Sequence, residues 1–428
     1  MSPAKSRIGF HYFPDDHHYT QRDLDAWLPI LQSLDAHWIA LQAPPGRAIP
    51  EDFLRPLIER GMEPILHMPA TVGSLSIREL APLFQAYATW GVRHVVLYDR
   101  PNMRSSWTES GWLRGHLVER FIDHILPMLR LQRKVGLVPT FPPLTPGGDY
   151  WDTAFLGLAL ESLQRRGERE VLDSLALAFR GWTYGRPLDW GTGGQAAWPD
   201  AMPYRSTPGT QDHLGFRIFE WYAEICRQVF DRELPMIAIA GGAILDPEAH
   251  PRLERLAAEK TEAIVRWLQG DEVPESLVGY CFYPLSADAS HAHHPLAWYR
   301  SPQEPAELVE ACRRALASVE KRIRPAPKKI IRHYVLMPQT AARDAHADWD
   351  SLAPFAMAIK PTLGFSAEEA RLAERVTLLG DRKAIPEEHA EDLRASGCEV
   401  LRIDPRQEGA ILQSIAKFAT AGPSRQGA

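Results

Sequence analysis

Short, near-continuously apolar runs that each give way to a turn and then to an amphipathic stretch dominate the first 323 residues. Unbroken apolar runs are the mark of strands buried on both faces, whereas half-buried strands alternate apolar and polar residues. The runs Ile8–Phe13, Trp38–Gln42, Glu63–His67, His94–Tyr98, Val135–Val138, Ser174–Phe179, Met236–Ala240 and Val278–Tyr283 predict parallel strands. Helices are predicted between them. Asp23–Leu34 places Trp27, Leu28, Leu31 and Leu34 on one face, and a Ser76/Glu79 capping box precedes Leu80, Leu83, Phe84 and Tyr87. Further helices are expected at Trp112–Leu131, Asp152–Gly167, Thr210–Asp231, Pro251–Gln269 and Glu304–Ile323. Strand and helix in strict alternation over a span somewhat longer than the ~250 residues of a typical barrel predict a (β/α)8 TIM barrel. A doubly wound open sheet shows the same alternation, but no G-x-G-x-x-G follows the first strand, which counts against its dinucleotide-binding form.

At 428 residues the chain exceeds one ordinary domain. Residues 324–329, Arg-Pro-Ala-Pro-Lys-Lys, read as a stiff linker between a barrel at 1–323 and a small α/β sandwich domain at 330–420. In that domain Ile330–Met337, Arg375–Gly380 and Glu399–Ile403 are expected strands. Trp349–Ile359, Glu387–Ser396 and Gly409–Ala419 are expected helices, with a second capping box at Ser366/Glu369 and a frayed tail at 421–428. Forty-eight Lys and Arg against fifty-four Asp and Glu give a net charge of −6, which argues against a nucleic-acid surface. No apolar run approaches the ~20 residues of a membrane span. The N-terminus shows no apolar leader, so a cytoplasmic location is expected, with export by another route left open. The four cysteines, Cys226, Cys281, Cys312 and Cys398, have neither disulfide-framework nor metal-ligand spacing, and no cofactor is expected. His17-His18 and His291-Ala-His293-His294 lack fixed Cys or Glu partners, so no metal is assigned to them.

A barrel gathers its chemistry at the C-terminal ends of its strands. There the sequence places His11, Tyr12, Asp15 and Asp16 after strand one, and Asp99, Arg100, Asn102 and Trp107 after strand four. Arg180, Trp182 and Tyr184 follow strand six, and Tyr283 and Trp298 follow strand eight. Flat aromatic faces match the C–H faces of sugar rings, and the polar residues supply directed hydrogen bonds to hydroxyls. These residues, Asp99 apart, form the expected saccharide-binding set. For each aromatic the alternative is core filling, and for Arg100 and Arg180 it is an internal salt bridge with Asp99 or Asp173.

In the order of these strand ends the chain resembles the clan A glycoside hydrolases, the cellulase-like (β/α)8 barrels. That family ends strand four in an Asn-Glu-Pro-type motif and strand seven in a Thr-Glu-Phe-Gly-type motif, whose glutamates are acid/base and nucleophile. Here Asp99-Arg100-Pro101-Asn102 occupies the strand-four motif with Arg100 in the glutamate place. Arg232-Glu-Leu-Pro235 resembles the lead-in to strand seven, and the nucleophile place falls on Ala240 or Gly241. Trp182–Gly185 and Gly279–Tyr283 resemble the aromatic ends of strands six and eight. The resemblance implies a carbohydrate ligand. Its hydrolysis needs two carboxyls about 5–5.5 or about 6.5–9.5 Å apart, and neither Arg100 nor Ala240 or Gly241 supplies one. The expectation is a saccharide-binding barrel without the hydrolytic pair. Catalytic residues are left unassigned, with Asp99 as the candidate; by register it could equally turn towards the helices. The alternatives are a glycosidase with relocated carboxylates (Asp15, Asp16, Asp99 or Asp246) and a non-catalytic scaffold whose mouth is plugged by Trp190–Pro208.

The C-terminal segments Arg375–Gly380, Ile385–Glu388 and Leu393–Ile403 resemble one copy of a cell-wall-binding repeat, with Asp381 in place of its second glycine. This implies a wall or protein partner; an ordinary half of an α/β sandwich is the alternative.

Overall fold

The computed structural model describes residues 6–207, 210–243, 251–323, 329–338, 357 and 360–403. The chain divides into two compact units, Met1–Val319 and Glu320–Ala428.

The first is a (β/α)8 barrel. Its strands are β1 (Ile8–His11), β2 (Trp38–Gln42), β3 (Glu63–Met68), β4 (His94–Leu97), β5 (Thr140–Phe141), β6 (Ala176–Trp182), β7 (Met236–Gly242) and β8 (Leu277–Phe282). They run parallel in the order β4-β3-β2-β1-β8-β7-β6-β5. The two ends of that order meet through a parallel bridge between His94 and Val138, so the sheet closes on itself. The main crossover helices are α1 (Gln21–Ser33), α2 (Glu51–Glu59), α3 (Ile77–Thr89), α4 (Leu117–Val135), α5 (Asp152–Arg165), α6 (Ile218–Phe230), α7 (Pro251–Leu268) and α8 (Glu307–Ile323).

Alternation along the strands sends one set of side chains to the helices and the other into a separate inner cluster. That cluster comprises Trp38, Ala40, Ile65, Val96, Ala178, Ile237, Ile239 and Cys281. Trp38 is its one large ring, and glycine makes the room for it. A Cβ at Gly9 would lie 2.5 Å from the Trp38 Cβ, and one at Gly279 would lie 2.7 Å from its ring.

The second unit is a parallel sheet of β11 (Ile331–Leu336), β12 (Thr362–Gly364), β13 (Ala373–Leu379) and β14 (Glu399–Ile403) in the order β12-β11-β13-β14. A hairpin of β9 (Tyr299–Ser301) and β10 (Glu304–Pro305) lies between the last barrel strand and α8. The second core gathers Tyr334, Leu336, Val376, Leu378, Ile385 and Leu393. Arg402 pins the loop after β13: its guanidinium donates to the carbonyls of Gly380, Asp381 and Ile385 at 3.3, 3.0 and 2.8 Å.

Several boundaries differ from the sequence reading. Val135–Val138 is not a strand, because α4 runs through Val135 and stops at Gly136, whose φ of 92° suits a helix terminus. The segment Trp112–Leu131 breaks into a single turn at Glu109–Trp112 and α4, and the helix expected from Thr210 begins at Ile218. Ser76 makes no side-chain cap bond. The capping box that forms is at α1, where Thr20 Oγ1 accepts from Asp23 N and the Asp23 carboxylate accepts from Thr20 N. The short strand β12 was not anticipated. The helices expected at Trp349–Ile359 and Gly409–Ala419, the linker at 324–328 and the tail at 421–428 fall outside the described residues, apart from residue 357.

Candidate functional site

The mouth is organised around Asp99, one residue past the turn that ends β4. The residues on either side of it, Tyr98 (φ 63°) and Arg100 (φ 50°), adopt the left-handed region, which non-glycine residues enter at a cost of order 1–3 kcal/mol. That turn sends the Tyr98 ring against Phe121 and aims Asp99 across the mouth, not towards the helices. Arg180 Nη2 donates to Asp99 Oδ1 at 2.8 Å, and Arg100 Nε donates to Oδ2 at 2.8 Å. His67, at the end of β3, has its Nε2 3.9 Å from Oδ1 and donates to the Tyr98 carbonyl at 2.9 Å. Burial alone would raise the Asp99 pKa. The Arg180 and Arg100 guanidiniums more than offset that and bring it down to about 2. Asp99 is therefore an anion at neutral pH and has no proton to give.

A bulge places the second layer. Phe179 pairs with Ala238 and Arg180 with Ala240, which leaves Ile239 unopposed on β7. Such bulges re-aim side chains beside functional sites. His11 Nδ1 donates to the Ile239 carbonyl at 3.1 Å, so Nε2 is left as a bare acceptor, buried and without a partner. Burial drives the His11 pKa down to about 3, and burial lowers that of His67 as well, so both rings are neutral at physiological pH. Past the bulge, Gly241 lies against Tyr280. A Cβ at 241 would stand 2.5 Å from the Tyr280 hydroxyl and 2.8 Å from the Gly181 carbonyl, the group to which that hydroxyl donates.

Aromatic side chains line the opposite side. Trp182 and Tyr283 meet edge to face at 5.7 Å, Tyr283 meets His11 at 4.8 Å, and the Tyr283 hydroxyl bonds His293 Nδ1 at 2.6 Å. Tyr184 (φ 49°), half-buried, lies within electrostatic reach of Arg180, Asp152, Arg100 and Arg205.

The remaining residues of the expected binding set stand elsewhere. Tyr12 and Trp298 are core rings, packed on Phe13 and Phe53 and on Phe10 and Phe282 respectively. Trp107 is buried, donates Nε1 to the Pro101 carbonyl and carries the Arg120 guanidinium 5.2 Å above its ring. Asn102 is fully buried and ties the β4 loop to the β5 loop through Thr145 and Tyr150. Asp16 pairs with His17 and Arg47. Asp15 and Asp288 flank His18, with ligand atoms close enough for a metal ion. However, Nδ1 faces Asp15 at 2.8 Å and Nε2 faces Asp288 at 3.4 Å. A ring with a carboxylate at each nitrogen is the arrangement of a doubly paired imidazolium, and the hydrogen bond to Asp15 raises the His18 pKa accordingly. Asp246 lies outside the described residues.

Trp190–Thr207, the described part of the expected plug, bonds along α6 and the residues before it. Gly191 accepts from Trp221 Nε1, Gly193 N donates to Glu220, and Trp190 Nε1 donates to the Asp212 carbonyl. The sequence reading omitted His67 from the site, although the register His67–Val96 places it beside the end of β4. It also omitted Trp151 and Tyr204, an exposed ring pair 6.1 Å apart on the loops that follow β5 and β6. In the second unit a cleft of about 770 Å³ opens at the ends of β11 and β12, lined by Met337, Phe365, Glu368, Glu369, Ile385 and His389 among others.

No family model matches the sequence, and no curated protein matches it. Solved structures do. A glucosidase from Croceicoccus marinus matches with a TM-score of 0.50 at 11% identity, over 73% of this chain and 68% of its own. A GH128 endo-β-1,3-glucanase from Sorangium cellulosum matches with a TM-score of 0.43 at 14% identity, over 72% and 98%. A β-xylosidase from Caulobacter crescentus gives 0.48 at 11% identity, over 73% and 68%. The first of these likenesses shows a shared barrel fold. No helix among the described residues is long and apolar enough to cross a membrane.

Proposed function

We propose that the barrel binds carbohydrate at its mouth and does not carry out the two-carboxylate hydrolysis of clan A barrels. One observation carries the reading: among the described residues, the carboxylate that faces the mouth, Asp99, is locked as an anion between two guanidiniums, with a pKa of about 2. A general acid must hold a proton near the working pH, and Asp99 holds none. Of the two strand-seven places, Ala240 carries no acid, and any side chain at Gly241 would collide with Tyr280 and with backbone.

What argues for a saccharide is the chemistry of the mouth: half-buried Trp182, Tyr184 and Tyr283, the unpartnered acceptor of His11, and the exposed guanidinium of Arg100. The exposed Trp151–Tyr204 pair offers a second flat surface at the same end of the barrel. The likeness to a glucosidase agrees with this reading only at the level of fold, and fold alone does not assign function. An oligosaccharide array with the full chain is the test. Retained ligands are expected to weaken in Trp182→Ala, and an array without a single binder overturns the reading.

The strained backbone at Tyr98 and Arg100 favours one second reading, a hydrolase with Asp99 as nucleophile, since a depressed pKa suits that role. Incubation with a glycoside panel separates the two. Turnover that disappears in Asp99→Ala would establish the second and end the first.

A further inference from the structure

We propose that the saccharide taken at the mouth carries an anionic substituent, a carboxylate or a sulfate, seated between Arg100 and Arg180. The inference rests on the carbohydrate-binding reading above and adds the substrate class. It follows from the mouth's donors and charges. Two guanidiniums share the single carboxylate of Asp99, one oxygen each, so the group carries a surplus positive charge in a chain whose net charge is −6.

Among the described residues, the neighbours do not neutralise that charge. His11 and His67 are buried and neutral. Tyr283 is a neutral phenol, with its pKa pushed up by burial to about 12, and burial raises that of Tyr184 too. Asp152 is the other carboxylate within reach of Tyr184. Its oxygens are taken by His213, Tyr222 and the Gly147 amide at 2.8–3.1 Å.

The donors are also underused. Each guanidinium has five N–H groups in a planar fork. Among the described residues Arg180 spends one on Asp99, and its Nε is buried without a partner. Arg100 likewise spends Nε on Asp99, while its side chain is 42% exposed and its outer nitrogens face no acceptor among the described residues. A neutral hydroxyl oxygen accepts at most two such bonds, without charge assistance. An anionic oxygen pair accepts several, and charge-assisted bonds are roughly twice as strong as neutral ones. The left-handed turn at Arg100 fixes the base of one guanidinium and the β7 bulge aligns the other, so the fork is set before a ligand arrives.

Calorimetric titration of the full chain with matched β-linked gluco-oligosaccharides, oligomers of the corresponding uronic acid, and sulfated gluco-oligosaccharides tests this. The acidic members are expected to bind about tenfold or more tightly than the neutral ones, the equivalent of one good charged contact. That advantage should shrink as salt screens the guanidiniums and should disappear in Arg100→Gln. The uronate and sulfate arms identify which anion is preferred. The salt series needs no variant, so the claim stays open to refutation if Arg100→Gln misfolds. Equal binding of neutral and acidic oligosaccharides overturns the anionic preference and leaves carbohydrate binding intact. Binding of neither class overturns both.

Discussion

Asp99 shows how a single side chain couples the mouth to stability. Its carboxyl is more acidic in the folded protein, at about 2, than its ordinary value of 3.8. On acidification the unfolded chain therefore takes up the proton first. The contribution is complete above pH ~4 and is lost as pH falls through about 2. A shift of this size corresponds to about 2 kcal/mol. Asp99→Asn is expected to destabilise the protein by at least about 2 kcal/mol at pH 7, because two guanidiniums lose the one anion they contact among the described residues. The difference between the variant and the wild type should narrow sharply near pH 2.5. Urea denaturation at the two pH values measures it, and a gap that is constant with pH would mean that the two arginines do not set the charge state of Asp99.

At the scale of strands and helices, the corner of β6, β7 and β8 decides what chemistry the barrel can hold. Tyr280 fills the space that a side chain at 241 would need, and Gly181 leaves room for the same ring, since a Cβ there would stand 2.7 Å from it. Gly241→Ala is therefore expected to cost about 1–3 kcal/mol, the usual penalty of overpacking. Combined with Tyr280→Ala it should cost less than the sum of the two single changes, because the clash is shared. Thermal denaturation of the three variants reads this, and simple additivity would show that the two side chains do not compete. That this corner carries Ala240 and Gly241 and no acid was legible in the sequence, but the packing that goes with it was not. Tyr280 is thirty-nine residues away in the sequence, and it meets Gly241 only through the folded sheet. Local signals were missed for a different reason. Gly136 after Arg133 and Lys134 was a helix stop, and reading Val135–Val138 as apolar overrode it. Ser76 and Glu79 had the right spacing for a capping box, yet spacing does not fix the side-chain rotamer, and the bond formed instead at Thr20 and Asp23. Trp107, Trp298 and Tyr12 were placed at the correct end of the barrel, but composition cannot tell an aromatic that faces the mouth from one that packs beneath it.

For the barrel as a whole the demanding step is closure. Seven of its strand contacts are extended parallel ladders or short ladders between neighbours in sheet order. The eighth, between β4 and β5, rests on the bridge at His94 and Val138 and on the bond from Val138 N to the Arg93 carbonyl at 2.8 Å. A side chain from outside the sheet reinforces that seam. Gln132, fully buried on α4, donates Nε2 to the Val95 carbonyl at 2.8 Å, and its Oε1 accepts from Thr140 N at 3.2 Å. One amide thus satisfies a backbone acceptor on β4 and a backbone donor on β5, where the ladder is too short to do so. Gln132→Leu keeps the volume and removes both bonds, leaving a buried carbonyl and a buried amide without partners. Each such group costs about 1–3 kcal/mol, so a loss of about 2–6 kcal/mol is expected, large for a substitution that leaves packing almost unchanged. Hydrogen exchange should locate the effect. Amides of β4 and β5 should lose protection ahead of those of β1 and β2 on the far side of the barrel. Uniform loss of protection around the ring would mean that the seam is no weaker than the rest, and that closure does not depend on Gln132.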